Sequence, residues 1–161
     1  MLGDPASIKN QGIIFRAVSK LFETKEEIET STKGTSKVSI HVEMLEIYND
    51  KVRDLLHPSS RKKNQTGEVK LKIASNEAME NIIVEAERPG EILEFLNVSQ
   101  KRRCVKSTKS NTESSRSHLL FTLYFTIQNE SNPRMNRSSK LHICDLAGSE
   151  RLAKSGSCSV R

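Results

Sequence analysis

Two short segments carry the residue types best suited to chemistry. The first is Asn111-Thr112-Glu113-Ser114-Ser115-Arg116-Ser117-His118, an amide, hydroxyls, a carboxylate, a guanidinium and an imidazole directly ahead of a long apolar alternation. The second is Asp145-Leu146-Ala147-Gly148-Ser149-Glu150, at the end of a short apolar run. In open α/β sheets, ligands gather outside the carboxyl ends of strands. An aspartate placed there can hold a metal-bound water. A glycine three residues later lets its backbone N–H approach an anionic oxygen with no side chain in the way. Serine hydroxyls suit a hard cation such as Mg²⁺, which prefers oxygen ligands. Arg116 and Glu150 offer opposite charges that could latch the two segments together. Each segment alone has a plainer reading: Ser110-x-x-Glu113 matches a capping box, and Asp-x-x-Gly after a strand is often only a turn. Two successive strands carrying both segments favour the functional reading.

Several elements must position them. Ile13, Ile14, Val18, Leu21 and Phe22 recur at helical spacing and predict a helix from Gly12 to about Glu27. Val38, Ile40, Val42 and Met44 alternate with Ser39, His41 and Glu43, while Leu45 and Ile47 add apolar residues to the second face. That pattern predicts a strand covered at least partly on both sides. Asn49 or Asp50 could cap a short helix through Leu56, stopped by Pro58. Residues 57–67 contain no apolar member and read as a loop. Strand-like runs follow at Val69–Ala74 and Ile82–Glu87. Pro89 and Gly90 then open a helix with Ile92, Leu93 and Leu96 inward, acidic at its start and closed by Lys101, Arg102 and Arg103, an order that complements the helix dipole. Leu119, Phe121, Leu123, Phe125 and Ile127 form one face of the clearest strand. Asn129–Ser139 reads as a polar loop, and Leu141–Leu146 as a short buried strand. Strands alternating with helices predict an α/β layered sheet.

The chain has 161 residues, 35% hydrophobic and 29% charged. Its length suits one domain, burying roughly 68–70% of its unfolded surface, and apolar residues are too numerous for wholesale disorder. Three cysteines (Cys104, Cys144, Cys158) form no even disulfide framework and no C-x-x-C pair, which suits a reducing compartment. No apolar run is long enough to span a membrane, and the N-terminal residues lack the pattern of a signal peptide. The formal charge of +6 favours an acidic partner. Aromatic residues sit within apolar patterns instead of being interleaved with basic ones, which argues against a nucleic-acid stacking platform. His41, His57, His118 and His142 have no ligand spacing, and His142 with Cys144 on one strand face would be two ligands only.

NTESSRSH resembles the switch I motif NxxSSRSH of the kinesin motor family, and DLAGSE resembles its switch II motif. MLEIYNDKVRDLL is similar to the family's strand–helix segment, and RRCVKSTKSNTESSRSH keeps its approach to switch I. The resemblance runs almost end to end. It implies a partial P-loop NTPase fold of layered α/β/α type, with ATP and Mg²⁺ as cofactors. By resemblance, Asn111 orients the γ-phosphate and the attacking water, Ser114 positions that water, and Ser115 reaches Mg²⁺. Asp145 holds a Mg²⁺-bound water, Gly148 donates its N–H to the γ-phosphate, and Arg116 with Glu150 closes the site. Such roles suit phosphoryl transfer, where catalysis is mostly positioning and electrostatic stabilisation. The implied partner is the microtubule, whose tubulin surface is acidic, and the implied location is the cytoplasm and cytoskeleton. LHICDLAGSERLAKSG resembles minus-end-directed members.

The chain also departs from the family pattern. None of the seven glycines begins or completes GxxxxGK[ST], the P-loop that cradles phosphates. Met1-Leu2-Gly3 fits the residues directly after that loop. Residues 1–161 are therefore expected to be the part of a kinesin motor domain C-terminal of the P-loop, ending in the loop after switch II, without the sheet's edge elements. Phe15 stands where many relatives carry Pro in GIIPR, and Ser157–Arg161 drifts from the family's continuation. With only one side of the phosphate site, these residues alone are expected to give no ATP turnover. The alternative is a non-catalytic remnant that binds microtubules or another protein.

Overall fold

Apolar residues at helical spacing need a sheet to lie on, and the strands that follow supply it. The computed structural model describes residues 11–48, 51–57, 68–69, 82–104 and 117–148. Helix α1 spans Ile13–Ser31 and buries Ile14, Val18 and Phe22, three turns of one stripe. It outlasts the expected end because Glu29 is used structurally: its Oε1 accepts the Val38 N–H at 2.9 Å. The helix stops where Lys33 and Gly34 take positive φ of 49° and 78°. The Gly34 N–H then closes on the Glu29 carbonyl at 2.9 Å, a left-handed termination that glycine adopts without penalty.

Strand β1, Ser36–Tyr48, is the centre of the sheet. Its neighbours are β2 (Lys51–Asp54) and β4 (Val84–Ala86) along one edge, and β5 (His118–Asn129) along the other. β3 (Glu68–Val69) pairs with β2, and β6 (Arg137–Asp145) pairs with β5. The strand order is β3-β2-β1-β5-β6, with β4 attached to β1, and all these pairings are antiparallel. Helix α2, Pro89–Cys104, starts with proline at its first turn, where a missing N–H costs nothing. Glu91 accepts the Glu87 N–H at 2.9 Å and the Arg88 guanidinium at 3.0 Å. The Glu87 N–H, ahead of Arg88, holds the Glu91 carboxyl below its usual range.

The side-chain alternation of β1 and β5 sorts the sheet into two faces. Ile40, Val42 and Met44 meet Phe125, Leu123 and Phe121 across the ladder. With Ile14, Val18 and Phe22 of α1 and Ile92 and Leu96 of α2, they form one core cluster. On the opposite face the Tyr124 hydroxyl donates to Glu43 Oε2 at 3.0 Å, Lys140 lies 4.9 Å from the Tyr124 ring centre, and Thr122 bonds His142 Nδ1 at 3.0 Å. Burial, then Glu43, pushes the Tyr124 phenol up to about 12.

Two expectations are corrected, and a third is described only in part. Residues 51–54 form a strand and not the helix predicted through Leu56. The register Tyr48↔Lys51 and Ile47↔Val52 leaves two residues, Asn49-Asp50, between paired positions, and such a dipeptide suits a two-residue hairpin connection as well as a helix cap. The expected strands Val69–Ala74 and Ile82–Glu87 are described only as β3 and β4, on different partners, and 70–74 lies outside the described residues. β6 is longer than expected and mostly exposed: Leu141 is 40% accessible and Leu146, beyond its end, 72%. Among the described residues β5 is its sole strand neighbour, so one edge and much of its side-chain surface stay open.

Candidate functional site

Antiparallel pairing of β5 with β6 brings the last residues of one chemically rich segment and the first residues of the other to the same end of the sheet. β5 begins at His118, the last residue of the serine-rich segment, and β6 ends at Asp145, the first residue of the aspartate–glycine segment. The register sets Leu119 opposite Asp145, so the residues just before one strand lie beside those just after the other. A direct bond joins them: the Ala147 N–H donates to His118 Nδ1 at 3.0 Å. That contact leaves Nδ1 the acceptor role and places the ring proton on Nε2.

The end of the sheet is held from its other side as well. β1 carries Ile47 opposite His118 and Glu46 opposite Leu119. The buried Glu46 carboxylate meets Arg53 of β2 at 3.4 Å, and Arg53 lies 5.4 Å from the Tyr48 ring centre. Ser117 is buried, Asp145 and Ala147 are half-buried, and Gly148 is exposed. The site is thus anchored in the sheet at its base and open to solvent at the glycine. Of the residues expected to act, Asp145 and Gly148 are placed here. Asn111, Ser114, Ser115, Arg116 and Glu150 lie outside the described residues.

The family profile described as the kinesin motor domain matches residues 1–161. The chain belongs to the kinesin motor family. It is 34% identical over 169 residues to kinesin-like protein KIN-14M of Arabidopsis thaliana, covering 100% of the chain and 22% of that protein. It is 40% identical over 152 residues to kinesin-like protein KIN-14E of Oryza sativa subsp. japonica, covering 91% of the chain and 13% of that protein. The chain therefore spans about a fifth or less of the length of these curated relatives. Among solved structures, that of a fast kinesin superposes with a TM-score of 0.74 at 28% identity, covering 98% of this chain and 42% of that one. The mixed helices and antiparallel sheet are consistent with part of the α/β kinesin fold.

The residues of this kinesin chain suit Mg²⁺ and a nucleotide in donor type. The half-buried carboxylate of Asp145 ends a strand, and Gly148, exposed three residues on, brings no side chain between backbone and solvent. Among the described residues no group of three or more His, Cys, Asp or Glu could hold a metal ion. His142 and Cys144 of β6 have no third ligand there. A single carboxylate is the usual protein share for Mg²⁺, which keeps waters and substrate phosphates as its other ligands. His118 is the site residue that ligand spacing missed. Its signal was positional: it is the first paired residue of β5, where a side chain can reach the end of the neighbouring strand.

Proposed function

We propose that these residues are the switch-bearing part of a kinesin-type motor that hydrolyses ATP and moves along microtubules. The carrying observation is the β5/β6 register with its His118–Ala147 bond, which seats the end of the switch I motif against the start of the switch II motif. In this reading residues 1–161 correspond to a motor domain from just after the P-loop to the loop following switch II. That reading is supported by the 42% share of the fast-kinesin chain that they cover.

Bound Mg²⁺ and ATP would supply the phosphoryl group and the charge neutralisation that its transfer needs. The chain's own residues do the positioning. Asn111 orients the γ-phosphate and the attacking water, and Ser114 holds that water. The Ser115 hydroxyl would help to hold Mg²⁺, and the Asp145 carboxylate would hold it through a bound water. Gly148 offers a backbone N–H to the terminal phosphate, and the Arg116–Glu150 ion pair closes the two loops together. Because His118 holds Ala147, Gly148 lies one residue from a fixed point. The net charge of +6 favours the acidic tubulin surface, and the working location is the cytoplasm and cytoskeleton. The KIN-14 names of both plant relatives, with the wording of residues 141–156, support movement toward the microtubule minus end.

The test is phosphate release by the protein carrying these residues, with and without microtubules. Asp145→Ala and Ser115→Ala should each lower stimulated release by roughly 100-fold or more, the scale of losing one preorganised electrostatic contact. Microtubule co-sedimentation at low and high salt runs beside it. Binding with no Asp145-dependent release would replace the motor by a binding module, and no binding at low salt would remove the microtubule altogether.

A further inference from the structure

A buried carboxylate and a helix-end guanidinium grip the same short turn from opposite sides. Asp54, 1% exposed, ends β2. Its Oδ1 accepts the N–H groups of Leu56 at 2.7 Å and His57 at 3.1 Å, and its Oδ2 accepts the Ile82 N–H at 2.7 Å. The Leu55 N–H donates to the Met44 carbonyl of β1 at 2.9 Å, and the Leu55 side chain is buried in the core. The carbonyls of this turn point to α2. Arg102 Nη1 donates to the Leu55 carbonyl and, at 3.5 Å, to that of His57.

Two N–H groups and two carbonyls of residues 55–57 are therefore divided between side chains far apart from each other in sequence, while the Leu55 N–H pairs with β1. The carboxylate takes N–H groups and the guanidinium takes carbonyls. A carboxylate accepting several backbone N–H bonds is a strong, charge-assisted hub, and one guanidinium Nη, with its two hydrogens, can serve two carbonyls at once. Four stretches of chain meet at this point: β1, the end of β2, the approach to β4 and the last turn of α2. That last turn leads in sequence directly to residues 105–118, and the turn and Ile82 bracket residues 58–81.

We infer that Asp54 and Arg102 are positioning residues forming one joint. The joint fixes the carboxyl end of α2 to the turn of residues 55–57 and, through Asp54, to Ile82. A displacement at the turn or at Ile82 is transmitted to α2 through the shared carboxylate and guanidinium. The meaning of the joint for phosphoryl transfer rests on the switch reading proposed above; the joint itself does not.

Amide hydrogen exchange on the complete chain tests the joint, comparing wild type with Arg102→Ala, Arg102→Lys and Asp54→Asn. In Arg102→Ala the amides of Leu56, His57 and Ile82, none of which Arg102 touches, should exchange about tenfold faster, as for the loss of a hydrogen bond to a charged group. Arg102→Lys, which keeps a charged donor, should restore most of the protection. Asp54→Asn should speed exchange in the last turn of α2. If Arg102→Ala changes exchange only within α2, the two grips are independent and the joint is refuted, even where Asp54→Asn fails to fold. In the phosphate-release assay, Arg102→Ala should lower kcat roughly tenfold through misplacement with KM for ATP little changed. An unchanged kcat in an active protein overturns the positioning role. A wild type with no release sinks the motor reading, and the exchange pattern still decides the joint.

Discussion

Replacing His118 with alanine removes the described side-chain bond between the end of the serine-rich segment and the start of the aspartate–glycine segment. The Ala147 N–H would lose its acceptor at 3.0 Å in a half-buried position. A net hydrogen bond is worth about 1 kcal/mol, and a buried donor left unmade costs about 1–3 kcal/mol. Gly148 next to it is exposed, so water can reach the freed amide and the lower part of that range applies. A cost of about 1–1.5 kcal/mol corresponds to roughly five- to tenfold faster opening. The opening is local, because the β5/β6 ladder persists from Leu119↔Asp145 onward. Amide exchange over residues 146–148 should therefore rise five- to tenfold, while exchange over Phe121–Leu123 stays at the wild-type rate. His118→Asn supplies the control. Its Oδ1 branches from the same position as Nδ1 and accepts hydrogen bonds, so protection should return. Equal exchange at Ala147 in wild type and His118→Ala would refute the latch. So would His118→Asn behaving like alanine, since the bond would then depend on something other than an acceptor at that position.

Two further outcomes follow from the sheet. Phe121 is fully buried between α-helical and β-strand partners of the core, so Phe121→Ala should destabilise the fold by roughly 3–5 kcal/mol; a thermal or denaturant shift worth under about 1 kcal/mol would contradict the packing described. Tyr124 is raised from 10.0 to about 12, so the folded chain keeps its phenolic proton where the unfolded chain releases it. The stabilisation is complete below about pH 10 and is lost as pH rises to about 12. Phenolate absorbance in a Tyr48→Phe background, with denaturant midpoints across that window, should show the delayed ionisation, and Tyr124→Phe should flatten the pH dependence.

Local pattern carried far where one interaction dominates. The stripe Ile14–Val18–Phe22 and the alternation Leu119–Phe121–Leu123 each match a single periodicity, and both became the elements they suggested. Residues 51–56 show where it failed. Val52, Leu55 and Leu56 fit a helical stripe, but β1 pairs residues 51–54 and takes the Leu55 N–H, Asp54 takes the Leu56 N–H, and Val52 and Leu55 are buried. Tertiary pairing outweighs so short a stripe. β6 misled for the opposite reason: its apolar residues promised burial, which depends on neighbours that its own sequence does not name.

By itself, the sequence determined the family, the two helices, the long strands and the residue types of the candidate site, because motif and periodicity are local properties. Tertiary structure alone decided that all the described strands run antiparallel, that β6 has β5 as its sole partner among the described residues, and that Glu46 is buried against Arg53. It also decided the roles of His118, Asp54 and Arg102. Each of these contacts joins backbone or side-chain groups far apart in the chain, and only the sheet register and the seating of α2 bring such groups within hydrogen-bonding reach.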